Sequence, residues 1–156
     1  MKLSSREDIE APIEPTFDML CDFEGLQRQA MRRGADVRRT DLLSSIGPGM
    51  TWQASFRLRG RRRNLSLEMM HLARPDELEV AFTSGGITGT FRVDCVALSA
   101  RRTRVQIGLE LRPKTLSARL LVQSLKLAKS SLTKRFKLRF AEYAKFLEDR
   151  YQAGTY

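Results

Sequence analysis

TLSARLLVQSLKLAKSSLTKRFKLRFAEYAKFLEDR, residues 115–150, contains neither proline nor glycine. Its apolar residues recur at Leu121, Leu125, Ala128, Leu132, Phe136, Phe140, Tyr143 and Leu147, in steps of three and four, which is helical spacing. The pattern predicts one long C-terminal helix over about 115–150, roughly 50 Å from end to end at about 1.5 Å per residue. A helix with a single apolar stripe must bury that stripe against something. The rest of the chain is therefore expected to supply an antiparallel sheet for it to lie on.

The upstream sequence reads as that sheet. Leu3, Ser5, Glu7 and Ile9 would share one face of a first strand over Lys2–Glu10, which Ala11-Pro12 ends because proline cannot donate to a ladder. Pro15 suits the first turn of a short helix carrying Phe17, Leu20 and Cys21, and a second short helix follows from Glu24 to Arg32, stopped at Gly34. From Ala35 the period changes to two. A weak strand is expected over Ala35–Leu43, then a loop at Gly47-Pro48-Gly49. Trp52, Ala54, Phe56 and Leu58 alternate with polar residues as in a half-buried strand. The return strand carries Leu65, Leu67 and Met69, with a phase slip expected at Met70 that a bulge would explain. Three further strands follow, marked by Leu78-x-Val80-x-Phe82, by Gly89, Phe91, Val93 and Cys95, and by Val105, Ile107, Leu109 and Leu111. Short turns between sequential strands imply an antiparallel meander with one apolar face. The expected class is α+β: a seven-stranded antiparallel sheet covered by the long helix, with two short helices between strands one and two.

The totals are consistent with one domain over residues 1–156. The chain is 42% hydrophobic and 29% charged, a globular balance rather than a disordered one. No apolar run approaches the length of a bilayer span, and the N-terminus lacks the apolar segment of a secretory signal; a cytoplasmic protein is expected. Twenty-eight Lys and Arg against eighteen Asp and Glu leave a net charge of +10, a surface that favours anionic partners. Cys21 and Cys95 read as buried small hydrophobes, and with one histidine and no cysteine cluster no metal is expected.

The order of elements and several short signatures resemble the helix-grip superfamily of START domains, pollen-allergen-like proteins and polyketide cyclase/dehydrases. The signatures are Ile9-x-Ala11-Pro12 followed by Phe17, Leu20 and Asp22; Gly47-Pro48-Gly49 followed by Trp52; Pro75 at a turn; and Thr103-Arg104-Val105 opening the last strand. Many members carry a tryptophan near the end of the second short helix, where this chain has Arg28-Gln29-Ala30-Met31. The resemblance implies a curved sheet wrapped round the long helix with a ligand cavity between them. It implies binding or carriage of a small apolar molecule such as a lipid, quinone or polyketide, without a cofactor, and in some members cyclisation or dehydration. Candidate walls are Trp52, Phe56, Leu67, Met69, Phe82, Phe91, Val93, Ile107 and Leu109 from the strands, with Leu121, Leu125, Ala128 and Leu132 from the helix.

Polar candidates are few. Glu7 falls on the inward phase of the first strand unless a bulge exposes it, and a buried carboxyl there would have a raised pKa. His71 lies on or near the inward face, where it would orient a ligand, move a proton or serve as a hydrogen-bonded structural residue. No nucleophile elbow, phosphate loop or dinucleotide fingerprint occurs. An enzyme of cyclase or dehydratase type using His71 or Glu7 is thus the alternative to a binder. A third reading is a basic docking module. Arg57, Arg59, Arg61, Arg62 and Arg63 cluster at one turn, and Lys126, Lys129, Lys134, Arg135, Lys137, Arg139 and Lys145 lie along the helix. These suit an anionic membrane surface. They suit RNA less well, because aromatics do not interleave with the arginines.

The helical stripe from Leu121 to Leu147 averages about 3.7 residues per step, so it drifts round the axis as expected over a twisted sheet. The drift is expected to carry Arg139 to the flank. The N-terminal half, with Leu and Ala, is expected to face the ligand, and the half with Phe136, Phe140 and Tyr143 to anchor the helix. On that reading Ala128→Trp would fill the cavity and spare the fold.

Overall fold

A computed structural model describes residues 1–156. Its element order is β1 (Lys2–Ile9), α1 (Ile13–Leu20), α2 (Phe23–Arg32), β2 (Asp36–Arg39), β3 (Thr51–Leu58), β4 (Arg61–Ala73), β5 (Glu77–Ser84), β6 (Ile87–Ser99), β7 (Arg102–Pro113), α3 (Leu116–Leu127) and α4 (Lys129–Ala153). All neighbouring strands are antiparallel, in the order β1-β7-β6-β5-β4-β3-β2. The meander from β2 to β7 is closed off by β1, which returns to pair with β7 and puts Ser5 opposite Ile107 and Ile9 opposite Thr103.

Local chemistry explains the element ends. The Asp22 carboxylate accepts from the Gly25 amide at 3.1 Å and caps α2; the Thr115 hydroxyl accepts from the Ala118 amide at 3.1 Å and caps α3. Gly154 ends α4 in the left-handed region, with φ 71°. The expected strand over Ala35–Leu43 shrinks to Asp36–Arg39 because the Asp41 carboxylate takes over the backbone donors beyond it. That carboxylate accepts from the Leu43 and Thr51 amides, each at 2.9 Å, and from Arg39 at 2.8 Å. The register slips between Met69 and His71, so the bulge expected at Met70 is present. No such slip occurs in β1, whose pairing with β7 is continuous through Glu7.

The C-terminal segment departs from the single rod predicted. It is two helices, broken at Ala128, whose φ of −99° and ψ of 15° leave the helical region. The Ala128 amide turns back to the Leu125 carbonyl at 3.0 Å, a tightened final turn of α3. Two different burial faces lie behind the break. α3 buries Ala118, Val122 and Leu125, with Ala118 and Val122 packed on Ile87 of the sheet. α4 buries Phe140, Ala144 and Leu147, which join the main core with Ile9, Phe17 and Val105. The two helices thus pack on different parts of the sheet.

The main core sits where α1 and α4 close over β1, β7 and the adjoining end of the sheet. Ile9, Ala11, Phe17, Met69, Val105 and Leu147 are fully buried there. The buried Thr103 hydroxyl donates to the Ala11 carbonyl at 2.8 Å, so even the polar atom in this core is satisfied.

Candidate functional site

Away from that core, α4 and the sheet separate. Between α2, α4 and the concave face lies a cavity of about 620 Å³, within the size range of small-molecule sites. β3 contributes Trp52, Ala54 and Phe56; β4 contributes Leu65 and Leu67; β5 contributes Leu78 and Val80; β6 and β7 contribute Phe91, Val93 and Ile107. These are successive inward positions at period two on neighbouring strands, so one sheet face supplies a continuous apolar wall. α2 forms the facing wall with Phe23, Leu26, Gln27 and Ala30, and α4 forms the roof with Phe136, Arg139, Phe140 and Tyr143. Trp52, the only tryptophan, packs against Phe23 with ring centroids 5.4 Å apart.

Nineteen of the twenty-one lining residues are hydrophobic, the exceptions being Gln27 and Arg139. The Gln27 carboxamide is committed, its Nε2 donating to the Val37 carbonyl at 2.9 Å. A water in such a space needs two to four polar partners to be held well. These walls offer few, so they favour an apolar occupant.

The strand residues Trp52, Phe56, Leu67, Phe91, Val93 and Ile107 line this space. The other candidates lie elsewhere. Met69 is fully buried in the core. Phe82 lies across Gly89 on the neighbouring strand, so close that a Cβ at that glycine would strike its ring. Leu109 is half-buried beside β1, opposite Leu3. On the helices, Leu121 and Leu125 belong to the packing of α3, Ala128 is the break, and Leu132 is half-buried near the start of α4; none of the four lines the cavity. The expected division of labour along the helix is therefore reversed. The segment from Phe136 to Tyr143 roofs the cavity, and α3 lies outside it. Ala128→Trp would not fill it. Arg139 is exposed, as its expected place on the flank requires, and borders the roof.

The polar candidates are also elsewhere. The bulge at Met70 turns His71 to the outer face of the sheet, where its Nε2 meets Glu77 at 2.8 Å and Glu77 is also bridged by Arg92 at 2.8 Å. The His71 contact and the Arg92 guanidinium hold the Glu77 carboxyl below its ordinary range. Glu7 is half-buried on β1 opposite Val105 and does not line the cavity. Burial pushes the Cys21 thiol up to about 11 and the Cys95 thiol up to about 12, so neither offers a thiolate nucleophile near neutrality. No group of three or more side chains could hold a metal ion.

Sequence reasoning missed α2 as a wall and the Phe136–Tyr143 segment as a roof. Phe23, Leu26 and Ala30, at spacings of three and four, did mark an apolar face on α2. What they face depends on the curvature of a sheet built from distant strands.

No family model and no curated relative matches the chain. Solved structures do. The Zhui aromatase/cyclase from Streptomyces sp. R1128 superposes with a TM-score of 0.71 at 12% identity, covering 99% of this chain and 97% of that one. TTHA0849 from Thermus thermophilus gives 0.64 at 18% identity, with both chains covered in full at 100%. A START superfamily protein from Mycobacterium smegmatis gives 0.57 at 13% identity, covering 86% of this chain and 95% of that one.

Tyr143 provides a test of the roof. Burial pushes its hydroxyl from the ordinary value of 10 up to about 12. The folded state thus favours the neutral phenol. That contribution to stability is intact below the ordinary tyrosine value and is lost as the pH rises through the folded one. In a spectrophotometric titration, Tyr143→Phe should remove the last-ionising of the three tyrosines; loss of an early-ionising one would contradict the placement. Sheet order, helix order and superposition together identify the architecture as the helix-grip fold.

Proposed function

We propose that this protein binds and carries a small apolar molecule, of lipid, quinone or polyketide type, in the cavity between the sheet and α4. The observation that carries this reading is the lining: about 620 Å³ of space whose walls are hydrophobic at nineteen of twenty-one positions. Apolar side chains facing a void lose both dispersion contacts and the benefit of leaving water, and a ligand restores both. Carriage is favoured over catalysis because His71 and Glu7 lie outside the cavity. A cyclase of the kind named for the Zhui neighbour would need an acid–base pair facing its substrate.

Trp52 makes the reading testable without a label, since it is the sole tryptophan and lines the space. Titration with a short-chain apolar probe such as decyl methyl ether should change its emission saturably. Ala54→Phe, on the wall of β3, fills part of the void rather than overpacking a closed core. It should weaken the probe about tenfold or more while leaving the thermal midpoint unchanged or raised. Unaltered binding in Ala54→Phe, or no saturable signal in the parent protein, would remove the proposal.

A second surface supports delivery at an anionic bilayer. The outward stripe of α3 exposes Leu116 at 76%, Leu120 at 61% and Leu127 at 93%, positions that share one helical face. Arg119 and Lys126 flank this stripe, and no acidic residue occurs between Glu110 and Glu142. The β3–β4 turn brings its arginines alongside through Arg59, whose guanidinium donates to Ser124 of α3 at 2.5 Å. Apolar residues rimmed by cations suit an interfacial helix on acidic lipid. The protein should co-sediment with phosphatidylserine-containing vesicles and not with phosphatidylcholine alone, and Leu116→Ser with Leu120→Ser should release it. Equal binding to both vesicle types, or to RNA in preference to either, would reject this surface as a lipid dock.

A further inference from the structure

The roof of the cavity carries one feature that an apolar ligand alone leaves unexplained. Arg139 is the only charged residue in the lining. Arg150, on the same helix, is held by Asp22 at 3.4 Å. Arg139 has no such partner: it makes no hydrogen bond, and Glu142, three residues on, stands beyond ion-pair distance. Tyr143 also lines the cavity, but the charged groups that act on its hydroxyl are Arg150 and Asp22, away from Arg139. The remaining polar lining group, Gln27, is already bonded to the backbone of β2. Arg139 is therefore the cavity's one uncommitted cation, on the roof between Phe136 and Phe140, with hydrocarbon on the other walls.

We infer that Arg139 is a head-group site, and that the cavity's ligand is an amphiphile with an apolar body and a carboxylate. This rests on the proposed apolar-ligand reading and narrows it. A guanidinium presents paired N–H donors that match the two oxygens of a carboxylate. Arg139 is exposed at the edge of the roof, so its charge keeps contact with solvent while the body of the ligand enters between α2 and the sheet. A neutral hydrocarbon would occupy the same walls and leave the guanidinium unused. A dianionic phosphate would bring more charge than one guanidinium balances.

Matched ligands separate the head group from the body. Trp52 emission is titrated with decanoic acid at neutral pH and with methyl decanoate, which has the same chain without the charge. The acid should bind about tenfold or more tightly than the ester. Arg139→Gln should abolish that preference. Arg139→Lys should keep part of it, the charge remaining while the paired donors are lost.

Two controls exclude other sources of attraction. Lys137→Gln, an exposed cation one position from Leu138, removes the same net charge away from the lining and should leave the preference intact. Arg63→Gln tests the other cation on the concave phase. It stands opposite Phe56 with a buried Nε that has no partner, yet outside the lining. Acid preference that survives Arg139→Gln, or that falls equally in Lys137→Gln or instead in Arg63→Gln, overturns the assignment. If acid and ester bind equally, the cavity takes apolar bodies and the head-group site is wrong. If neither binds, the apolar-ligand reading falls first and this inference with it.

Discussion

The seating of α4 along β1 is the contact on which the rest of the structure depends. Phe140, Ala144 and Leu147 close that end of the sheet with Ile9, Phe17 and Val105. A helix tied to one edge of a twisted, curved sheet cannot also lie against the far strands. The faces of β3, β4, β5 and β6 are thus left uncovered by α4, and α2 reaches only part of the way. The cavity is the geometric remainder. Its apolar lining follows from strand alternation, because the residues at inward positions are hydrophobic whether or not a helix touches them.

Along this single helix, Ala144 and Leu147 face the core, Arg139 borders the void, and Phe136, Phe140 and Tyr143 do both. α3 is independent of both. It buries Ala118, Val122 and Leu125 against the β6–β7 side and presents leucines and cations outward. The break at Ala128 allows the two helices to meet these separate demands, and the charge-rich outer face of the sheet, with its Glu77–His71–Arg92 and Asp8–Arg104 contacts, takes no part in the site.

Much of the fold was legible in the residues. Period-two alternation located the strands, Pro12 and Gly34 bounded the short helices, and the change of phase at Met70 revealed the bulge that turns His71 outward. The break at Ala128 was not legible, since no proline or glycine marks it. The site was partly legible. Trp52, Phe56, Leu67, Phe91 and Val93 sit on a wall that alternation predicts. Phe82 shares their phase but lies over Gly89, a placement that depends on which strands are neighbours. The helix was read with its halves exchanged because periodicity tells which residues are buried and not whether they are buried against side chains or beside a void.

The central claim is that the space beneath α4 holds an apolar molecule. Native mass spectrometry of protein purified without detergent, compared with the same sample after organic extraction, measures this most directly. A bound species of small-molecule mass that extraction removes, and that Ala54→Phe does not retain, is the expected result. A spectrum of bare chain from the parent protein, unchanged when apolar ligands are added, would contradict it.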